Sequence, residues 1–143
     1  MYEITKKPYQ KWFKKNEPWN IEIPELLNYP QESLGFHLGQ FLRTNNFEMQ
    51  PKLEDHDVIH VLTGISTNVE EEIGMQFYLM GNGKRSLYMY MVVVSGAIFF
   101  PLGFKLFMKY YRSGKNAHHF HDLDFRKMLA QPVATLRETF KIQ

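Results

Sequence analysis

Between residues 56 and 72 this chain is strongly constrained to form a helical hairpin. His56-Asp57-Val58-Ile59-His60 sets two imidazoles at i and i+4, on one helix face and about a turn apart. At roughly 100° per residue, Asp57 falls on the flank of that face. Gly64 then supplies a helix stop, and Thr67-Asn68-Val69-Glu70 reads as a capping box opening the next helix. Glu72 follows His60 after eleven intervening residues. If the two helices fold back on each other, His60 and Glu72 stand at matching heights, about 6–8 Å from the bend. The carboxylate of Glu72 can then face the histidines. Two imidazoles and two carboxylates meeting at one point describe a divalent-metal site with mixed nitrogen and oxygen ligands.

The competing reading makes His56, Asp57 and His60 surface polar residues and Glu70-Glu71-Glu72 a solvated acidic helix start, which the helix dipole favours without any metal. A bare His-x-x-x-His pair would leave that reading ahead. Asp57 beside His56, and a hairpin able to return Glu72, favour the metal. Zinc-peptidase chemistry fits poorly, because the general base of that motif is a Glu where this chain has the shorter Asp57.

The rest of the chain reads as helix as well. Leu34, Leu38, Phe41 and Leu42 repeat at helical spacing and predict a helix from about Glu32 to Asn45. The hairpin helices are predicted at about Leu53 to Thr63 and Asn68 to Met80. Val58, Ile59, Val61 and Leu62 would make the metal cluster a polar island in an apolar wall. Gly81-Asn82-Gly83 breaks the chain. Leu123 to Ala130 and Val133 to Phe140 are two further short helices around Pro132. No strand pattern of any length occurs. The expected fold class is therefore all-α, a compact multi-helix domain built on a metal-binding helical hairpin. With 143 residues it is read as a single domain over 1–143, comprising an N-terminal arm (1–28) and a helical core (29–143).

Two stretches bear on partners. The first twenty residues interleave Lys6, Lys7, Lys11, Lys14 and Lys15 with Tyr2, Tyr9, Trp12, Phe13 and Trp19, a pattern that suits either an anionic membrane surface or an arm packed on its own domain. Packing is favoured. Ser86 to Phe104 runs nineteen residues without a charge, flanked by Lys84 and Arg85 before it and Lys105 and Lys109 after it. Ser95-Gly96 and Pro101 interrupt it, so a core helix or a lipid-facing helix ranks ahead of a membrane span. Its methionines and aromatics would suit a groove for a greasy ligand, or an ordinary core. His118, His119 and His121 form a second histidine group that invites a metal reading more weakly than the first and reads as exposed polar residues.

Composition adds exclusions. The chain has no cysteine, which removes disulfides, thiolate metal sites and cysteine nucleophiles. A net charge of +2 is too small to argue for nucleic acid. The N-terminus shows no apolar signal-peptide run, which favours a cytoplasmic location. No Gly-rich phosphate loop suggests a nucleotide or flavin.

Three segments resemble the coenzyme Q (ubiquinone) biosynthesis protein 4 family. Tyr29-Pro30-Gln31-Glu32-Ser33-Leu34-Gly35 with Phe41-Leu42 and Asn45 is similar to its amino-terminal signature. His56-Asp57-Val58-Ile59-His60-Val61-Leu62-Thr63-Gly64 with Glu72 resembles its metal motif. Leu123-Asp124-Phe125, Gln131-Pro132-Val133, Leu136-Arg137 and Ile142 resemble its carboxyl-terminal signature. The resemblance implies a peripheral membrane protein that tends to dimerise and works beside other quinone-biosynthesis enzymes. It implies a divalent metal, zinc as first choice with iron, manganese or cobalt as alternatives, on His56, Asp57, His60 and Glu72, which would also be the catalytic residues. The implied reaction replaces the C1 carboxylate of a polyprenyl-hydroxybenzoate with a hydroxyl. The rival function is a non-catalytic isoprenoid-binding scaffold; a soluble metal hydrolase is a third. The chain departs from the family where only ten residues separate Asn45 from His56, in place of a longer connection.

Overall fold

The computed structural model describes residues 19–45 and 54–143. Most of the basic and aromatic arm, the connector after Asn45 and the expected helix start at Leu53 lie outside the described residues. Those described residues form α-helices, short 3-10 turns and one isolated bridge, Ser33 with Pro132, and no strand. The all-α expectation holds. The chain divides into two compact units, residues 1–61 with 124–133, and residues 62–123 with 134–143.

In the first unit, α1 (Ile23–Leu27) starts with Pro24 in its first turn, where the missing N–H costs nothing. Trp19 and Leu26 are buried, so this part of the arm packs into its own unit. Helix α2 (Leu34–Thr44) begins at Ser33, whose Oγ accepts a hydrogen bond from Phe36 N at 3.1 Å and donates one to Pro30 O at 2.6 Å. Leu34, Leu38 and Leu42 are fully buried along one stripe. The 124–133 segment closes on the start of α2: Leu34 N donates to Gln131 O, Gly35 N to Leu129 O, and Val133 N to Glu32 O, each at 2.8 Å. The helix expected from Leu123 to Ala130 is a single 3-10 turn, Phe125–Met128, because its backbone is committed to these bonds. Helix α3 (Glu54–Thr63) follows, and its residues through Val61 belong to this unit. It stops where expected, with Gly64 in the left-handed region at φ +75.

The second unit centres on α4 (Val69–Gly81) and α6 (Phe104–Asn116). The capping box was expected to open at Thr67. The cap is Asn68, whose Oδ1 accepts from Glu71 N at 2.9 Å. Ile73, Phe77 and Phe107 form the core between the two helices, with the Phe77 and Phe107 rings stacked at 5.0 Å. The crossing is closer than ordinary side chains permit. A Cβ on Gly81 would lie 2.1 Å from Tyr111 O, and one on Gly114 would lie 2.0 Å from Tyr78 O. Gly114 lies inside α6, where glycine lets two backbones touch. Helix α7 (Val133–Phe140) packs its Phe140 ring on Phe120 at 5.3 Å, and Arg137 Nε donates to Leu62 O at 3.0 Å.

The uncharged run is neither a core helix nor one continuous helix. It forms α5 (Leu87–Phe99), a 3-10 turn at Pro101–Gly103 and the start of α6, with a bend of 106° between the two helices. Pro101 and the non-helical backbone of Phe100 make the break. Only Met89 and Gly96 of α5 are buried. Leu87, Tyr88, Met91, Val94, Ile98 and Phe99 are exposed, and Leu102 at the bend is 100% exposed. No single helix among the described residues is long and apolar enough to cross a membrane.

Candidate metal centre

Helix α3 carries the histidine pair as its spacing predicts. His60 is buried among Val58, Ile59, Val61 and Leu62, so the polar island in an apolar wall is real. Its ring lies nearly parallel to Phe41 of α2, centroids 5.5 Å apart and 19° between planes, which fixes the imidazole from one side. His56 is half-buried and meets the His60 ring edge-on at 4.9 Å. The two Nε2 atoms point at each other, 3.2 Å apart. One proton between them would make a neutral hydrogen bond. The same separation suits two ligands of one ion: with metal–nitrogen bonds of about 2.0–2.1 Å, 3.2 Å corresponds to an angle near 103°, close to tetrahedral. The donor set therefore fits a divalent metal.

Asp57 is buried at 6% exposure, on the flank its position dictates. Glu72 stands in the first turn of α4, with Oε1 buried. His56 and His60, one turn apart on α3, can offer their ring nitrogens to one ion. A second group able to hold an ion, His119, His121 and Asp122, was passed over in the sequence although Asp122 follows His119 at i+3; the segment is a loop and not a helix.

Other polar features were silent in the sequence. Tyr110 donates to Glu71 Oε2 at 2.5 Å, across the α4–α6 contact. Burial first, then the Glu71 hydrogen bond and charge, push its phenol up to about 12, and burial alone does the same for Tyr78. Asn82, 4% exposed, is a hub: its Nδ2 donates to Gly114 O and His118 O, and its Oδ1 accepts from Phe120 N and His121 N. An open cleft of about 270 Å³ lies along α5, lined by Ile73 of α4 with Tyr88, Met91, Val92, Phe99 and Phe100. Its wall is almost entirely apolar.

Residues 49–143 match the family described as coenzyme Q (ubiquinone) biosynthesis protein Coq4. The chain belongs to that family. The matched region contains the histidine pair, Asp57, Glu72, the apolar α5 and the C-terminal helix, and membership supports a role in ubiquinone biosynthesis. The fold is that of a solved Nostoc punctiforme protein provisionally assigned to ubiquinone biosynthesis. That structure aligns with a TM-score of 0.72 over 94% of this chain and 74% of the other, at 20% identity. No curated protein matches the sequence.

Proposed function

We propose that this Coq4-family chain is a metal-dependent enzyme that oxidatively decarboxylates a polyprenyl-hydroxybenzoate. The observation that carries the reading is the 3.2 Å convergence of the His56 and His60 Nε2 atoms inside an apolar wall. Within a ubiquinone-biosynthesis family, that donor pair has a substrate class to act on. His56 and His60 hold the ion, Glu72 completes the set, and Asp57 orients a ligand imidazole or joins the ligands. The ion, with zinc as first choice and iron, manganese or cobalt as alternatives, supplies Lewis acidity toward the ring carboxylate. The reaction breaks the bond from ring C1 to the carboxylate and forms a C1–hydroxyl bond. It balances with dioxygen as two-electron acceptor: the benzoic acid, dioxygen and water give the phenol, carbon dioxide and hydrogen peroxide.

The protein's own contributions are positional. Phe41 stacked on His60 prevents that imidazole from rotating away. The apolar surroundings of α3 keep bulk water from the pair. The exposed face of α5 and its cleft accept an isoprenoid tail from a membrane surface. Lys105, Lys109 and Arg112, spaced along α6, and Arg85 before α5 are exposed to meet lipid phosphates. At about 0.8 kcal/mol per buried CH₂, the tail supplies most of the affinity. The chain is expected to work as a homodimer, peripherally on the cytoplasmic face of a membrane and beside other quinone-biosynthesis enzymes.

The exposure of α5 favours one further reading, an isoprenoid-binding scaffold without catalysis. Metal-reconstituted protein incubated aerobically with a prenylated hydroxybenzoate distinguishes them. The proposal expects the decarboxylated, hydroxylated product and its loss in His60→Ala. Tail binding without product under any of the four metals would leave the scaffold.

A further inference from the structure

Among the described residues, ligand-bearing side chains outside the α3 pair gather at one more place, the segment joining α6 to the Phe125–Met128 turn. His119, His121 and Asp122 each present one ligand atom, all within 4.8 Å of one another. His119 Nε2 and Asp122 Oδ1 are 3.2 Å apart, the spacing that two ligands of a single ion take. The His119 and His121 rings stack at 4.5 Å with 22° between planes, so the second imidazole stands beside the first.

The segment is held in this form before any ion arrives. Asn82 clamps it from α4's end: Oδ1 accepts from the amides of Phe120 at 2.9 Å and His121 at 3.1 Å, while Nδ2 reaches His118 O at 2.8 Å. His118 N donates to Phe140 O at 2.7 Å, and Phe120 between the two histidines is fully buried against Phe140. Phe120, between the two histidines, is thus anchored in the unit's interior, and His119 and Asp122 are left on its surface. Gly83, at φ +113, forms the other wall; a Cβ there would lie 3.2 Å from Cε1 and Nδ1 of His119. A side chain at that position would crowd the ring.

We infer that His119, His121 and Asp122 form a second divalent-metal site, separate from the α3 pair, selective for borderline ions such as Zn²⁺, Ni²⁺, Co²⁺ or Cu²⁺. Two imidazoles and one carboxylate favour these over Mg²⁺ or Ca²⁺, which take all-oxygen shells. His119 and Asp122 are about half exposed, so water completes the coordination and the ion exchanges with solvent. Its consequence is mechanical: one ion ties residues 119–122 beside the turn after α4 and stabilises the folded unit by binding it preferentially.

The test uses tag-free full-length chain, stripped with chelator and titrated with Zn²⁺ alone. Bound zinc is counted, and Tm is followed with and without the ion. The wild type should hold two equivalents, and His119→Ala/His121→Ala should hold one. In His56→Ala/His60→Ala protein, one equivalent and a zinc-dependent rise in Tm should remain. That rise should vanish when His119→Ala/His121→Ala is added, with the circular dichroism spectrum unchanged. Failure of the α3 proposal reads differently: His56→Ala/His60→Ala would then bind as much zinc as wild type. A zinc count and Tm shift that His119→Ala/His121→Ala leaves unaltered overturn the second site.

Discussion

Replacing Gly114 with Ala sets two principles against each other. Within a helix, Ala is favoured over Gly by about 1 kcal/mol, so propensity alone predicts a more stable protein. Here the added Cβ would lie 2.0 Å from Tyr78 O and 2.8 Å from Tyr78 C, both backbone atoms of α4. Ordinary contact begins near 3.4 Å, so α4 and α6 must separate by roughly 1.4 Å at this point. Separation loosens the Phe77–Phe107 stack and pulls at the Asn82 to Gly114 hydrogen bond of 3.0 Å. Overpacking of this kind costs about 1–3 kcal/mol and occasionally more, and against a rigid backbone the upper end applies. The net is about 2 kcal/mol of destabilisation. With a urea slope of about 2 kcal/mol per molar, the midpoint should fall by roughly 1 M. Gly81→Ala should behave alike, and the double variant should lose less than the sum, because one separation relieves both contacts. A Gly114→Ala midpoint equal to or above the wild type would refute the close crossing.

Two more expectations concern the same unit. Asn82→Ala removes four hydrogen bonds from a buried hub and should cost on the order of 3 kcal/mol by chemical denaturation, well beyond the effect of any surface substitution. Spectrophotometric titration should show tyrosines still protonated well above pH 10, with Tyr110→Phe and Tyr78→Phe each removing one. Because both phenols are raised on folding, from 10.0 to about 12, their contribution to stability is complete below pH 10 and is lost as pH rises towards 12. A Tyr110→Phe protein with an unchanged high-pH titration would contradict the Glu71 contact.

What could be read from the sequence was local. Ser33, Gly64 and Asn68 are caps whose side-chain or backbone chemistry acts within four residues, so α2, α3 and α4 lie within about two residues of their predicted bounds. The histidine pair is local in the same sense, one turn of one helix. What the sequence did not show depends largely on partners distant in the chain. The glycine at 114 inside α6 has its reason in Tyr78 O, thirty-six residues earlier. The 3-10 turn at Phe125–Met128 replaces a helix because its neighbours bond to α2. Helix α5 was left between core and lipid-facing because composition cannot tell burial from an apolar surface left open. His119, His121 and Asp122 lie within four residues of one another; what the sequence hides there is the distant Asn82, which fixes the backbone of the loop that carries them.

The central claim is that α3 presents a metal site completed by Glu72. Zinc content of tag-free protein carrying His119→Ala/His121→Ala, reconstituted and dialysed, tests it most directly. The account predicts one equivalent, lost in His60→Ala and in Glu72→Ala while the helical circular dichroism persists, since a chain with its own core does not need the ion to fold. Zinc retained at one equivalent when both His56 and His60 are alanine, or none bound with both present, would contradict it.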